Sequence, residues 1–224
     1  MSQKSKIAKI DIPLSLEINP FNDCGPLCLQ MIFLKDKNLN EDELSLEHLR
    51  ERVGKTFEEG TNPGDMCRVL QEEDYIVNYF STIDIKSIAD NDPKTNFENW
   101  DQRIKYAVMI SKSSPLIINT EKLYNSAKWI MEEKNKNIIV RKNLSIKEMI
   151  SLLKDNKRII TLVKNSSHYV VIVEIDETNI YFNDPESKEN PVKKTKTHEE
   201  FLKYWAEEES IRDAIVAIPK VIKI

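Results

Sequence analysis

Glycine is scarce in this 224-residue chain: there are four, and all fall between residues 25 and 64. Scarce glycines are kept where backbone geometry demands them. They mark Gly25, a turn at Gly54, and the turn around Gly60 and Gly64, and leave every later turn to Asn, Asp, Ser and Pro. A basic excess is lacking too. Thirty-three Lys and Arg stand against 37 Asp and Glu, a formal net charge of −4. Nothing is left over to neutralise phosphates, which argues against nucleic acid as the main partner. No apolar run reaches the ~18 residues of a membrane span. The start at Lys4, Lys6 and Lys9 is not followed by the apolar core of a secretory signal. Cysteine is present as an odd three, and no Cys-x-x-Cys occurs. With no export signal, this favours free thiols in a reducing cytoplasm over a disulfide framework. His48, His168 and His198 are far apart in sequence, so no metal centre is expected, and no cofactor. The 40% hydrophobic content fills the core of one domain over residues 1–224.

What the chain does have is concentrated at Asn22-Asp23-Cys24-Gly25-Pro26-Leu27-Cys28, where polar and turn-forming residues give way to an apolar helical run. A thiol at that junction meets the backbone N–H groups and positive dipole end of a helix, which favour the thiolate. Gly25 leaves room beside it for a substrate carbonyl. Pro26 suits a first helical turn. The spacing of Leu27, Met31 and Leu34 predicts a buried helix face over about 24–34. Two readings stand at this point: a nucleophile, or a structural cysteine before a core helix.

Far downstream, Ser167-His168 opens a β-branched strand to Ile175. Asp176 to Asn179 reads as a turn, and Ile180-Tyr181-Phe182-Asn183 returns to Asp184-Pro185. The open ends of this hairpin bring His168 and Asp184 together, a pairing suited to a thiolate–imidazolium–carboxylate site. Facing residues share a side of the sheet, and sides alternate along each strand. His168 and Asp184 therefore share a side only if the hairpin has an odd loop, such as Asp176-Glu177-Thr178, or a bulge. Val170 then lies opposite Asp184.

Three motifs in order carry a resemblance. They are Asp23-Cys24-Gly25-Pro26, the turn Glu59-Gly60-Thr61-Asn62-Pro63, and the hairpin from His168-Tyr169-Val170-Val171 to Asn183-Asp184-Pro185. Together they resemble papain-like cysteine peptidases of the double-glycine leader (bacteriocin-processing) type, above all their stand-alone relatives, over roughly residues 7–81 and 144–206. The resemblance implies Cys24 as nucleophile, His168 as general base and acid, and Asp184 as orienting carboxylate. The family places a glutamine five or six residues before the cysteine to bind the oxyanion. Asn19 and Ile18 stand there in this chain, and Asn19 offers the same amide donor on a stem one methylene shorter.

Elsewhere the pattern predicts an edge strand at 7–12, helices at 44–53, 63–73 and 146–154, and strands at 75–80, 158–163 and 214–218. Ser145 with Glu148 and Thr197 with Glu200 are capping boxes, the second placing His198 in the first turn of a surface helix. Residues 82–143, with helices expected at about 96–111 and 120–133, match nothing in the family and read as an insertion. It is either packing on the core edge or a lid over the cleft. The expected fold is α+β and papain-like: an N-terminal helix carrying the nucleophile, packed on an antiparallel sheet carrying His and Asp. The expected function is a cysteine peptidase acting on a peptide or protein through a thioester. The alternatives are another acyl-transfer enzyme on the same triad (a deamidase, transglutaminase-like enzyme or ligase) and a non-catalytic peptide-binding module.

Overall fold

From Cys24 to Phe33 every residue is buried, so helix α1 (Cys24–Lys37) meets solvent only in its last turns. A helix apolar on all sides belongs in an interior. Its amide side chain there, Gln30, is satisfied by donating to the Leu44 carbonyl at 2.9 Å. The helix outlasts the apolar run and continues to Lys37, with Lys35 and Lys37 complementing its negative end. This computed structural model describes residues 6–14, 23–37, 44–54, 60–111, 119–132, 138–140, 143–164, 168–185, 192–206 and 212–220.

Helix α1 packs on a sheet built from β1 (Lys6–Lys9), β2 (Tyr75–Ser81), β3 (Ile139–Val140), β4 (Arg158–Val163), β5 (His168–Asp176), β6 (Asn179–Asp184), β7 (Val192–Thr197) and β8 (Asp213–Pro219). The strand order is β3-β2-β8-β4-β5-β6-β7, with β1 paired to the far half of β5. The pairings are antiparallel except β2 with β3. Fully buried β4 lies between β8 and β5, which accounts for its largely apolar composition. β7 has no counterpart among the strands expected from the sequence. Val-Lys-Lys-Thr-Lys-Thr shows no apolar alternation because it is an edge strand, and lysines on an edge discourage pairing with another chain.

Around the sheet lie α2 (Leu46–Arg52), α3 (Pro63–Glu72), α4 (Ile85–Ala89), α5 (Gln102–Ser111), α6 (Thr120–Met131), α7 (Ile146–Lys154) and α8 (His198–Trp205). Both capping boxes form, at Ser145 with Glu148 and at Thr197 with Glu200. Asn62 occupies the N-cap position before Pro63, yet its side chain makes no cap bond and donates to Asp65 at 3.3 Å instead. Within 82–143 the sequence-expected helix at 96–111 starts only at Gln102. Phe97–Asn99 forms a 3₁₀ turn, and Asp101 Oδ1 accepts from the Arg103 backbone N–H at 2.9 Å, opening α5 there. The apolar stretch 115–118 lies outside the described residues. This segment reaches the core through α6. A Cβ on Gly64 would stand 2.1 Å from Ser126 Oγ and 2.9 Å from its carbonyl oxygen. Gly64 is therefore there for close approach of α3 and α6. Gly64→Ala is expected to cost about 1–3 kcal/mol by overpacking, read as a lower thermal midpoint. Adding Ser126→Gly should restore only part of it, because the carbonyl remains.

Asp213 opens β8 with its side chain buried and Oδ1 without a hydrogen-bond partner. Burial pushes its carboxyl up to about 6, against the lowering effect of hydrogen bonds with Ser81 and Tyr79 and of the Arg103 charge. The folded protein therefore holds this proton more tightly than the unfolded chain does. Stability falls as pH rises from about 4 to about 6 and is flat above. A two-unit displacement is on the order of 3 kcal/mol. The stability difference between Asp213→Asn and the parent should shift in the variant's favour by about that amount from pH 4 to pH 7, measured by denaturant unfolding at both pH values. A pH-independent difference would contradict the assignment.

Candidate active site

Cys24 is the first residue of α1. The Leu27 N–H donates to the Asp23 carbonyl at 2.9 Å, and the buried Asp23 carboxylate accepts from Arg50 Nη2 on α2 at 2.6 Å. The start of the helix is thus tied to a second helix immediately before the thiol. The space opened by Gly25 is already taken: its Cβ would lie 2.7 Å from both Cβ and Oγ1 of Thr61. The missing side chain lets the Gly60–Pro63 turn pack against α1, where the sequence suggested room for a substrate carbonyl. The hydroxyl of Tyr169 donates to the Thr61 carbonyl at 3.1 Å and ties that turn to β5.

His168 begins β5 opposite Val163 of β4. In the β5–β6 hairpin Ile175 faces Ile180 and Glu174 faces Tyr181, whereas Ile172 faces Phe182 and Val171 faces Asn183. The loop is a two-residue one, Glu177-Thr178. It is fixed by Asp176, whose Oδ1 accepts from the backbone N–H groups of Thr178 at 2.8 Å and Asn179 at 2.7 Å. The phase change comes from a bulge at Val173, so the register runs on to place Val170 opposite Asp184. His168 and Asp184 are then diagonal neighbours on one side of the sheet.

Their side chains meet. His168 Nε2 lies 2.7 Å from Asp184 Oδ1, and both groups are buried. An ionised carboxylate can only accept, so Nε2 carries the proton and donates. His168 also shares a hydrogen bond with Cys24. With Nε2 committed to the carboxylate, that bond falls to Nδ1. Burial by itself lowers the imidazole pKa, but the hydrogen bonds and charges of Asp184 and Cys24 outweigh it and raise His168 above its ordinary value. For Asp184, burial pushes upward, while the bonds and charges of His168 and Lys194 win and hold the carboxyl below its ordinary value. Lys194 Nζ donates to Asp184 Oδ2 at 2.7 Å. The sequence reading missed Lys194. The signal available was its place two residues from Lys196 in a lysine-studded run, which by itself reads as a solvated face.

The other sequence-marked residues are elsewhere. Asn19, Ile18, Asn22 and Ser167 lie outside the described residues. His48 is exposed on α2. His198 sits on α8 with Nε2 at 3.1 Å from the Asp176 carbonyl, at the turn end of the hairpin. Among the described residues no group of three or more His, Cys, Asp or Glu is placed to hold a metal, and no helix is long and apolar enough to cross a membrane.

A model of the Peptidase_C39-like family matches residues 9–211. The chain belongs to that family and is a cysteine peptidase-like hydrolase. One similar solved structure is a double glycine motif protease from an AMS/PCAT transporter, crystallised in complex with the leader peptide. It is 13% identical over 98% of this chain and 100% of that one, with a TM-score of 0.49. Another is the peptidase domain of Streptococcus ComA, a bi-functional ABC transporter involved in a quorum sensing pathway. It is 16% identical over 94% of this chain and 100% of that one, with a TM-score of 0.48. No curated protein matches the chain.

The three thiols differ in setting. Cys28 and Cys67 are wholly buried. Burial pushes both well above an ordinary thiol, with nearby Cys24 and Asp184 adding to the effect at Cys28, and Asp213 and Asp65 at Cys67. Only a thiolate attacks an alkylating agent. Limiting iodoacetamide at neutral pH should therefore modify Cys24 first, as mapped by peptide mass spectrometry. Prior labelling of Cys28 or Cys67 would remove Cys24 from the centre of the site.

Proposed function

We propose that the chain hydrolyses amide bonds of a peptide or protein substrate with Cys24 as nucleophile, His168 as general base and acid, and Asp184 as the carboxylate that orients the imidazole. The observation that carries this reading is the buried imidazole bridging Cys24 and Asp184, with its Nε2 2.7 Å from Asp184 Oδ1. The raised His168 pKa favours the imidazolium partner of a thiolate.

The steps follow from that arrangement. The Cys24 thiolate adds to the scissile carbonyl. The Nδ1 proton of His168 passes to the leaving amine, which departs and leaves a thioester on Cys24. Neutral His168 then takes a proton from a water, whose oxygen attacks the thioester carbonyl. The C–S bond breaks, the acid is released, and the imidazolium–thiolate pair is restored. Throughout, Asp184 fixes the ring through Nε2, so only Nδ1 faces the reacting atoms. The Cys24 backbone N–H and the Asn19 amide are assigned to the oxyanion, Asn19 on its position in the sequence. Residues 82–143 are assigned as an insertion within one papain-like domain over 1–224. The cytoplasm is assigned as the compartment, supported by three buried cysteines that form no disulfide among the described residues.

A peptide bearing a thiol-directed electrophile tests this reading. It should label Cys24 in the parent protein, as mapped by mass spectrometry, and His168→Ala should slow that labelling strongly while the fold persists. Labelling that is indifferent to His168→Ala would overturn the proposal. Once a cleaved peptide is in hand, Cys24→Ala should abolish turnover. Asn19→Ala should lose on the order of 100–1000-fold, and Asn19→Gln should equal or exceed the parent. An unchanged alanine variant would move the oxyanion role to another donor.

A further inference from the structure

Edge strand β7 carries a lysine into the buried side of the site. Lys194 faces Phe182 across the β6–β7 pair, so it shares a side of the sheet with Asp184 and His168. Its Nζ is 2.7 Å from Asp184 Oδ2, while Oδ1 is the oxygen that meets His168. The two carboxylate oxygens are therefore divided between an imidazole and an ammonium. The Asp184 side chain is 0% exposed and the Lys194 side chain 44% exposed, so the lysine reaches in from the rim.

We propose that Lys194 is a positioning residue of the active site, clamping Oδ2 so that Asp184 stays ionised and presents Oδ1 to His168 Nε2. This rests on the reading of Cys24, His168 and Asp184 as the catalytic group. The physical reason is a two-sided constraint. A carboxylate held by one hydrogen bond rotates about its terminal torsion, which is soft. One held at both oxygens by charge-assisted bonds does not. A buried carboxylate with a single partner also takes up a proton readily, and a protonated Asp184 would leave the imidazolium without its countercharge.

Other charged or titratable groups face Asp184, and the lysine must be separated from them. His168 on β5 bonds to it. Cys24 and Cys28 approach from α1, the former through the His168 imidazole it shares with Asp184 and the latter by the charge of Asp184 itself. Lys164, at the end of β4, feels both Asp184 and Lys194. Tyr204 on α8 feels Asp184 and Cys24. Lys193, the neighbour on β7, points to the other side of the sheet, where it pairs with Glu174 at 3.0 Å. It thus offers the same change of charge without the contact.

The test is the pH profile of Cys24 alkylation by iodoacetamide between pH 4 and 9, on the full chain, for the parent, Lys194→Met, Lys194→Arg, Lys193→Met and His168→Ala. Thermal midpoints are recorded in parallel. Lys194→Met should move the acid limb up by about one pH unit, the low end for loss of a nearby opposite charge given the exposure of the lysine. On that limb the rate should fall about tenfold. Lys194→Arg should keep the parental limb, and Lys193→Met should not move it. A Lys194→Met profile that superposes on the parent, or one matched by Lys193→Met, overturns the proposal. So does a uniform loss of rate with an unmoved limb, which marks a merely structural lysine. Failure of the underlying site looks different: the parent would then show no selective Cys24 reaction, or His168→Ala would leave its profile intact.

Discussion

A single extra residue in one strand decides what the hairpin can do. The bulge at Val173 shifts the β5–β6 register between Ile175 opposite Ile180 and Ile172 opposite Phe182. Beyond the bulge, His168, Val170 and Ile172 share a side with Asp184 and Phe182. Before it, Glu174 shares the opposite side with Tyr181, where Lys193 stacks over the Tyr181 ring and pairs with Glu174. Without the bulge, the tight two-residue loop would turn Asp184 away from His168, because sides alternate with every residue. The tight loop and the far bulge are complementary. Asp176 locks the loop with its side chain, and the bulge shifts the phase of everything beyond Val173, the facing imidazole and carboxylate included.

The other half of the site is held from the opposite direction. The thiol enters on the first residue of a helix buried on every side, so its position is set by packing rather than by a loop. Two ties fix the approach to it: the Asp23–Arg50 pair just before the thiol, and Thr61 pressed on the bare Cα of Gly25 just after it. Thr61 is in turn held by Tyr169, the residue next to His168. A chain of contacts therefore runs from the start of α1 through the Gly60–Pro63 turn to the start of β5. Thiol and imidazole share a common frame although 144 positions separate Cys24 from His168 in the sequence.

Much of this was legible from the residues because the signals were local. Ser145-x-x-Glu148 and Thr197-x-x-Glu200 each fixed a helix start to the residue, since the capping box uses only backbone and side chains within one turn. The apolar run at 158–163 gave β4 with its boundaries. The need for an odd loop or a bulge also followed from strand geometry. Which of the two occurs did not, because Val173 carries no glycine or other mark of a bulge. β7 was hidden for a related reason. Its lysines are there for partners on β5, β6 and α8, namely Glu174, Asp184 and the Tyr204 ring, and such partners lie outside any local window. The role of Gly25 was misread likewise, since its neighbour Thr61 comes from a separate turn.

Two buried aspartates on the same sheet show how hydrogen-bond donors and burial together set their state. Asp184 has no exposed surface, yet its carboxyl is held below the ordinary value. Asp213 is also shut off from solvent, with more of the fold packed around it, and its carboxyl is pushed up to about 6. Burying the charge costs both of them, and Asp213, deeper in the fold, the more. The donors widen the difference. Asp184 has an imidazole on one oxygen and an ammonium on the other. Asp213 has the hydroxyls of Tyr79 and Ser81, a guanidinium acting through its field alone, and one oxygen with no partner. Neutral hydroxyls compensate a buried charge less than cationic donors do. The fold thus keeps one carboxylate charged at the site and leaves another ready to take up a proton at mildly acidic pH. The division of Asp184 between an imidazole and an ammonium is what offsets the cost of its burial there.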